Sequence, residues 1–124
     1  MEHLHIDHIV LIVKDIERTT HFYSSFLGDP LEISNDQVAY QIGDTKLFFG
    51  LPYSGYSHYD KDGIGLNHLA FGVHTLDELK ECETLLSTKG IKNSDITIDP
   101  FGNKEFIWFD DPDGYRLEFY CCPE

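Results

Sequence analysis

Apolar residues follow two rhythms along this chain, and the rhythms succeed one another in the same order twice. The stretch IDHIVLIVKDI (residues 6–16) reads as an apolar strand, and so does LNHLAFGVHTL (residues 66–76). A helical period follows each. The first, at about 16–27, sets Ile16, Thr19, Thr20, Tyr23, Phe26 and Leu27 on one stripe, and the second, at about 76–89, uses Leu76, Leu79, Cys82, Leu85 and Leu86. Both stop at a glycine, Gly28 or Gly90, a residue suited to ending helices. Beyond them the runs QVAYQIG and TKLFFGL, then KEFIWFD and YRLEFYC, read as strands, separated by turn formers such as Gly43-Asp44 and Asp111-Pro112-Asp113-Gly114.

Laid over each other, the two strand-to-helix stretches align His8 with His68, Val13 with Val73 and Ile16 with Leu76 at a constant offset of sixty residues. The chain is therefore a tandem duplication of an α+β unit. Each half reads as βαβββ, or as βαββ with one further strand unplaced, giving modules of about 1–55 and 64–124 within one domain. Residues 52–65, PYSGYSHYDKDGIG, have neither period and read as the linker, or as a pocket loop.

Composition narrows the function. With 124 residues and 41% apolar content, the chain can close a core without covalent staples. Nine basic against 22 acidic residues give a formal charge of −13, which repels phosphate backbones and anionic membrane surfaces, so neither nucleic acid nor membrane is an expected partner. The three cysteines, Cys82, Cys121 and Cys122, are odd in number and lack metal-site spacing, which fits structural thiols in a reducing cytoplasm. No segment has the roughly 20 apolar residues of a membrane span, and the N-terminus lacks the basic region of a secretion signal.

Three polar residues stand out against the apolar strands. Side chains two apart on a strand share a face, so His8 sides with Ile6, Val10 and Ile12, and His68 with Leu66, Ala70 and Gly72. In the last strand Arg116, Glu118 and Tyr120 form one face, while Leu117, Phe119 and Cys121 form the apolar face that a helix covers. A lone histidine in an apolar strand is usually a structural residue. Two at equivalent repeat positions, with an acid inside the run LEFY, point instead to a shared divalent cation, which removes the cost of facing a carboxylate inward. Such a site, with His8, His68 and Glu118 as ligands, suits one Fe, Mn, Ni, Co or Zn ion. Asp7 and Asn67 stand beside the histidines at one repeat position, as orienting groups or as plain strand ends. His3, His5, His21, His58 and His74 have no repeat partner and read as surface or loop residues.

The ordered set IDHIVLIVKDIERTTHFYSSFLG, GLNHLAFGVHTLDEL and FIWFDDPDGYRLEFY resembles the vicinal oxygen chelate superfamily, which groups glyoxalases, bleomycin-resistance proteins and extradiol dioxygenases. The resemblance implies two βαβββ modules forming an incomplete barrel around a metal pocket, with ligands where His8, His68 and Glu118 stand. Aligning KLFFG with RLEFY puts Phe48 at the first-half position of Glu118, where members resembling glyoxalase I or methylmalonyl-CoA epimerase carry Glu or Gln. What remains is similar to the three-ligand pattern of extradiol dioxygenases and fosfomycin-inactivating thiol transferases, without the added histidine of the former or the basic cluster of the latter. The reading is a metal-dependent enzyme, of lyase, dioxygenase or thiol transferase type, whose small substrate is chelated through vicinal oxygens. Phe48, Trp108 and Tyr120 are its candidates for an aromatic substrate wall. The alternative is a non-catalytic protein that sequesters a drug or other small molecule, as bleomycin-resistance members do, a reading the net charge favours. The faces that pair the two halves can also pair two chains, which is compatible with a homodimer.

Overall fold

The computed structural model describes residues 1–53 and 59–122. They form two compact units, Met1–His58 and Tyr59–Glu124, with the same order of elements. The first has β1 (His8–Ile12), α1 (Ile16–Leu27), β2 (Glu32–Ile33), β3 (Gln37–Ile42) and β4 (Thr45–Gly50). The second has β5 (Leu69–Val73), α2 (Leu76–Thr88), β6 (Thr97–Ile98), β7 (Glu105–Asp110) and β8 (Arg116–Cys121). The fold class is α+β, two βαβββ modules with open four-stranded sheets ordered β1-β4-β3-β2 and β5-β8-β7-β6. In each sheet the first strand runs parallel to the last, and the remaining pairs are antiparallel.

Local chemistry places the helices. Asp15 caps α1 by accepting from the Arg18 amide at 3.0 Å, and Thr75 and Glu78 cap α2 reciprocally, each side chain taking the other's backbone N–H at 3.1 Å. Each helix covers one sheet face. Ile16, Thr19 and Tyr23 of α1 are buried over a layer that includes Leu11, Val38, Tyr40, Leu47 and Phe49, with the Tyr23 and Phe49 rings 4.3 Å apart. Leu79 and Leu86 of α2 are buried with Ile107, Phe109, Leu117, Phe119 and Cys121. Truncating a ring such as Phe109 to alanine costs about 3–5 kcal/mol.

The strand that the hydrophobic pattern leaves unplaced is β2 in one unit and β6 in the other, each of two residues. A two-residue strand is too short to show a period, so only its pairing partner reveals it. In the linker, residues 54–58, and with them His58, lie outside the described residues. The Tyr59 ring packs 4.4 Å from that of Tyr115, and its hydroxyl donates to the Leu66 carbonyl.

A cavity on the open face of the second sheet

The strand alternation that buries Leu117 and Phe119 under α2 turns Arg116, Glu118 and Tyr120 to the opposite face. There they line a cavity of about 570 Å³ together with Lys61, Asn67, His68, Ala70, Asp99, Pro100, Phe101 and Phe106, all within the second unit. That volume is in the range of small-molecule sites. His68 stands directly before β5, and its Nε2 lies 3.7 Å from Glu118 Oε2.

The two histidines are held alike. Asn67 Oδ1 is 2.8 Å from His68 Nδ1, and Asp7 Oδ2 is 2.8 Å from His8 Nδ1. A carbonyl or carboxylate oxygen there accepts the Nδ1 proton, which leaves Nε2 as the lone-pair nitrogen of each neutral ring. The His8 bond holds the Asp7 carboxyl below its ordinary range. Burial pushes Glu118 upward; His68 pulls it back, and the Asp99 carboxylate adds to the rise.

Asp99, which the sequence pattern leaves unremarked, organises the far wall. Its Oδ2 accepts from the Tyr120 hydroxyl at 2.6 Å, and its Oδ1 from the Phe101 amide at 2.9 Å. The Tyr120 bond, followed by that amide, holds the Asp99 carboxyl low, while the same bond and burial push Tyr120 up to about 12. The Asp-Pro and Gly-Asn pairs of DPFGN mark a turn in the sequence, but a turn signal does not say which strand residue its side chains meet.

Of the residues singled out by sequence, Asn67, His68, Glu118 and Tyr120 share this cavity. Trp108 is beside Glu118 in the β7–β8 register, with the Arg116 guanidinium 4.2 Å over its ring, and does not line the cavity. In the first unit Phe48 packs edge-on to His8 at 5.7 Å. Register sets Phe48 opposite Val10 and Glu118 opposite Ala70, so Phe48 and Glu118 are equivalent positions in the repeat. Among the described residues, no three His, Cys, Asp or Glu side chains are gathered closely enough to hold a metal ion. The second unit offers two donors, His68 and Glu118, and the first offers His8. Cys121 is buried and Cys122 exposed, so the adjacent thiols do not act together.

Comparison with known proteins agrees with this architecture. Residues 5–119 match the Glyoxalase/Bleomycin resistance protein/Dioxygenase superfamily. The chain is 31% identical to the uncharacterized protein YaeR of Escherichia coli, over 93% of this chain and 94% of that one. It is 28% identical to a probable lactoylglutathione lyase of Vibrio cholerae, over 95% and 91% respectively. A glyoxalase family protein from Enterococcus faecalis superposes with a TM-score of 0.78 at 26% identity, over 97% of this chain and 99% of that one. Two βαβββ modules, repeat-equivalent histidines and a match spanning nearly the whole sequence place this chain in the glyoxalase, bleomycin resistance protein and dioxygenase superfamily.

Proposed function

We propose that the protein is a metal-dependent enzyme that holds one divalent cation through His8, His68 and Glu118 and acts on a small substrate chelated through two neighbouring oxygens. The observation that carries this reading is the matched presentation of the histidines: in both units the preceding residue engages Nδ1 at 2.8 Å and frees Nε2. The donor set fits the ion, since two neutral imidazoles and a carboxylate suit Fe, Mn, Ni, Co or Zn and leave coordination positions open. When bound, such an ion supplies Lewis acidity toward adjacent oxygens. The chain's own residues do the rest. Asp7 and Asn67 fix the imidazole planes, Glu118 brings the negative charge, and the apolar lining residues Ala70 and Phe106 receive the apolar part of a substrate. His8 comes from the first unit, either of the same chain or of a second copy. Ile6, Val10 and Ile12 beside it are 62%, 54% and 44% exposed, which supports a homodimer testable by sedimentation.

Replacing His68 by alanine is expected to abolish stoichiometric metal while the thermal transition persists; unchanged metal content would sink the ligand assignment. Phe48 occupies the place of Glu118 and has no donor atom, so the likeness to lactoylglutathione lyases does not carry their reaction over. We expect no substantial turnover of the methylglyoxal–thiol adduct by the metal-loaded protein, and robust turnover would reverse that exclusion. A second reading, non-catalytic sequestration, draws on the charge of −13 and on Asp99 and Glu118 in the cavity. Metal content after purification separates the two, because sequestration needs no ion.

A further inference from the structure

Phe101 is 97% exposed, yet it belongs to a turn held by both backbone and side-chain hydrogen bonds. The Asp99 amide donates to the Lys104 carbonyl at 2.8 Å, and the Asn103 amide to the Asp99 carbonyl at 2.7 Å. Asp99 Oδ1 takes the Phe101 amide, and the Tyr120 hydroxyl on β8 ties Asp99 Oδ2 at 2.6 Å. The backbone is pressed onto that tie: a Cβ added at Gly102 would come within 2.5 Å of Tyr120 Oη and 3.1 Å of Asp99 Oδ2. Ordering the turn holds a large apolar ring in water at the rim of the cavity that also contains His68 and Glu118. The restraint acts on the backbone, and it fixes where the Phe101 side chain is presented at the cavity rim.

We propose that the Asp99–Asn103 turn is a preformed wall of the site, and that Phe101 selects substrates carrying a flat apolar group beside their chelating oxygens. Asp99, Tyr120 and Gly102 are positioning residues for that wall. The charges around the cavity narrow the class further. Arg116 is committed to Asp110 at 2.7 Å and to the Trp108 face, and Lys61 Nζ lies 3.2 Å from Asp62, whereas Asp99 sits within the Phe101 turn itself. Among the described residues that line the cavity, the cationic side chains Lys61 and Arg116 are both paired, so an anionic substituent on the flat group would meet the Asp99 carboxylate. The selected group is thus uncharged or cationic.

This inference rests on the metal-chelate reading above, and a matched pair of probes separates the two. Acetohydroxamate and benzohydroxamate chelate through the same two oxygens, the first carrying a methyl group where the second carries a flat ring. Their affinities are measured by calorimetry on the full chain carrying whichever metal it retains on purification. Wild type is expected to favour benzohydroxamate by roughly tenfold, the scale of one aromatic contact plus its burial. Phe101→Ala should bring that ratio close to one, Gly102→Ala should lower it by displacing the turn, and a carboxylate added at the para position of the ring should remove the preference. Acetohydroxamate affinity and metal content should stay constant in both variants. A ratio unchanged in Phe101→Ala with metal retained overturns the wall while leaving the chelate reading intact. A wild type that retains no metal, or binds neither hydroxamate, overturns both.

Discussion

The two modules share a backbone plan and differ in what they aim outward from it. Strands β4 and β8 bury equivalent pairs, Leu47 with Phe49 and Leu117 with Phe119, beneath their helices. On the opposite face the first carries Phe48 where the second carries Glu118, and the histidine before it is tied by a carboxylate in one module and by an amide in the other. The helix-facing half of a duplicated unit answers to packing, which tolerates only apolar exchange of similar volume. The outward half is free to diverge. The second module has used that freedom to place a carboxylate, a histidine and a held turn around one cavity, while the first retains a histidine, an aromatic ring and exposed Val10 and Ile12.

The largest expected effect comes from erasing this asymmetry at its centre. Glu118→Phe, which copies the first module into the second, should lose stoichiometric metal, a fall of roughly a hundredfold or more in affinity. Phe48→Glu, the reverse copy, should bind metal more tightly than wild type by supplying a fourth donor. Elemental analysis and competition with a chelator measure both, and a Glu118→Phe protein that keeps its metal contradicts the ligand set.

A smaller effect is expected where the two histidine ties differ. Asp7→Ala should weaken metal binding by about ten- to hundredfold, because a carboxylate both orients its imidazole and raises its basicity. Asn67→Ala should cost less, since a neutral amide contributes orientation alone. Equal losses would show that only orientation matters, and no loss in either would remove the role assigned to both. The same chelator competition reads them.

The smallest effect concerns Tyr120, whose counterpart in the first module by register is Gly50. Its proton should persist to about 12 because Asp99 accepts it, against about 10 for an ordinary tyrosine. A folded pKa raised in this way adds stability that is fully present below about 10 and is lost as pH rises through 12. On the acid side the depressed Asp99 carboxyl makes the same bond's contribution present above about 3.9 and lost as pH falls through its lower folded value. Denaturation midpoints of wild type and Tyr120→Phe should therefore differ by a constant amount between those limits and converge outside them. A gap that closed already near pH 10 would mean that the bond does not hold the proton in solution.

Much of this arrangement is written in the residues. The offset of sixty exposes the duplication; alternation in RLEFYC separates Glu118 from Leu117 and Phe119; and Gly28 and Gly90 mark where the helical stripes stop. These features depend on neighbours a few positions away, and so a linear pattern records them. The parallel pairing of β5 with β8, the two-residue strands β2 and β6, and the bond from Tyr120 to Asp99 join residues far apart in the chain. No periodicity encodes such meetings. Which turn faces which strand is settled only when helix and sheet pack and each buried polar group must find its partner, and that packing is what turns an ordinary DPFGN turn into one side of a cavity.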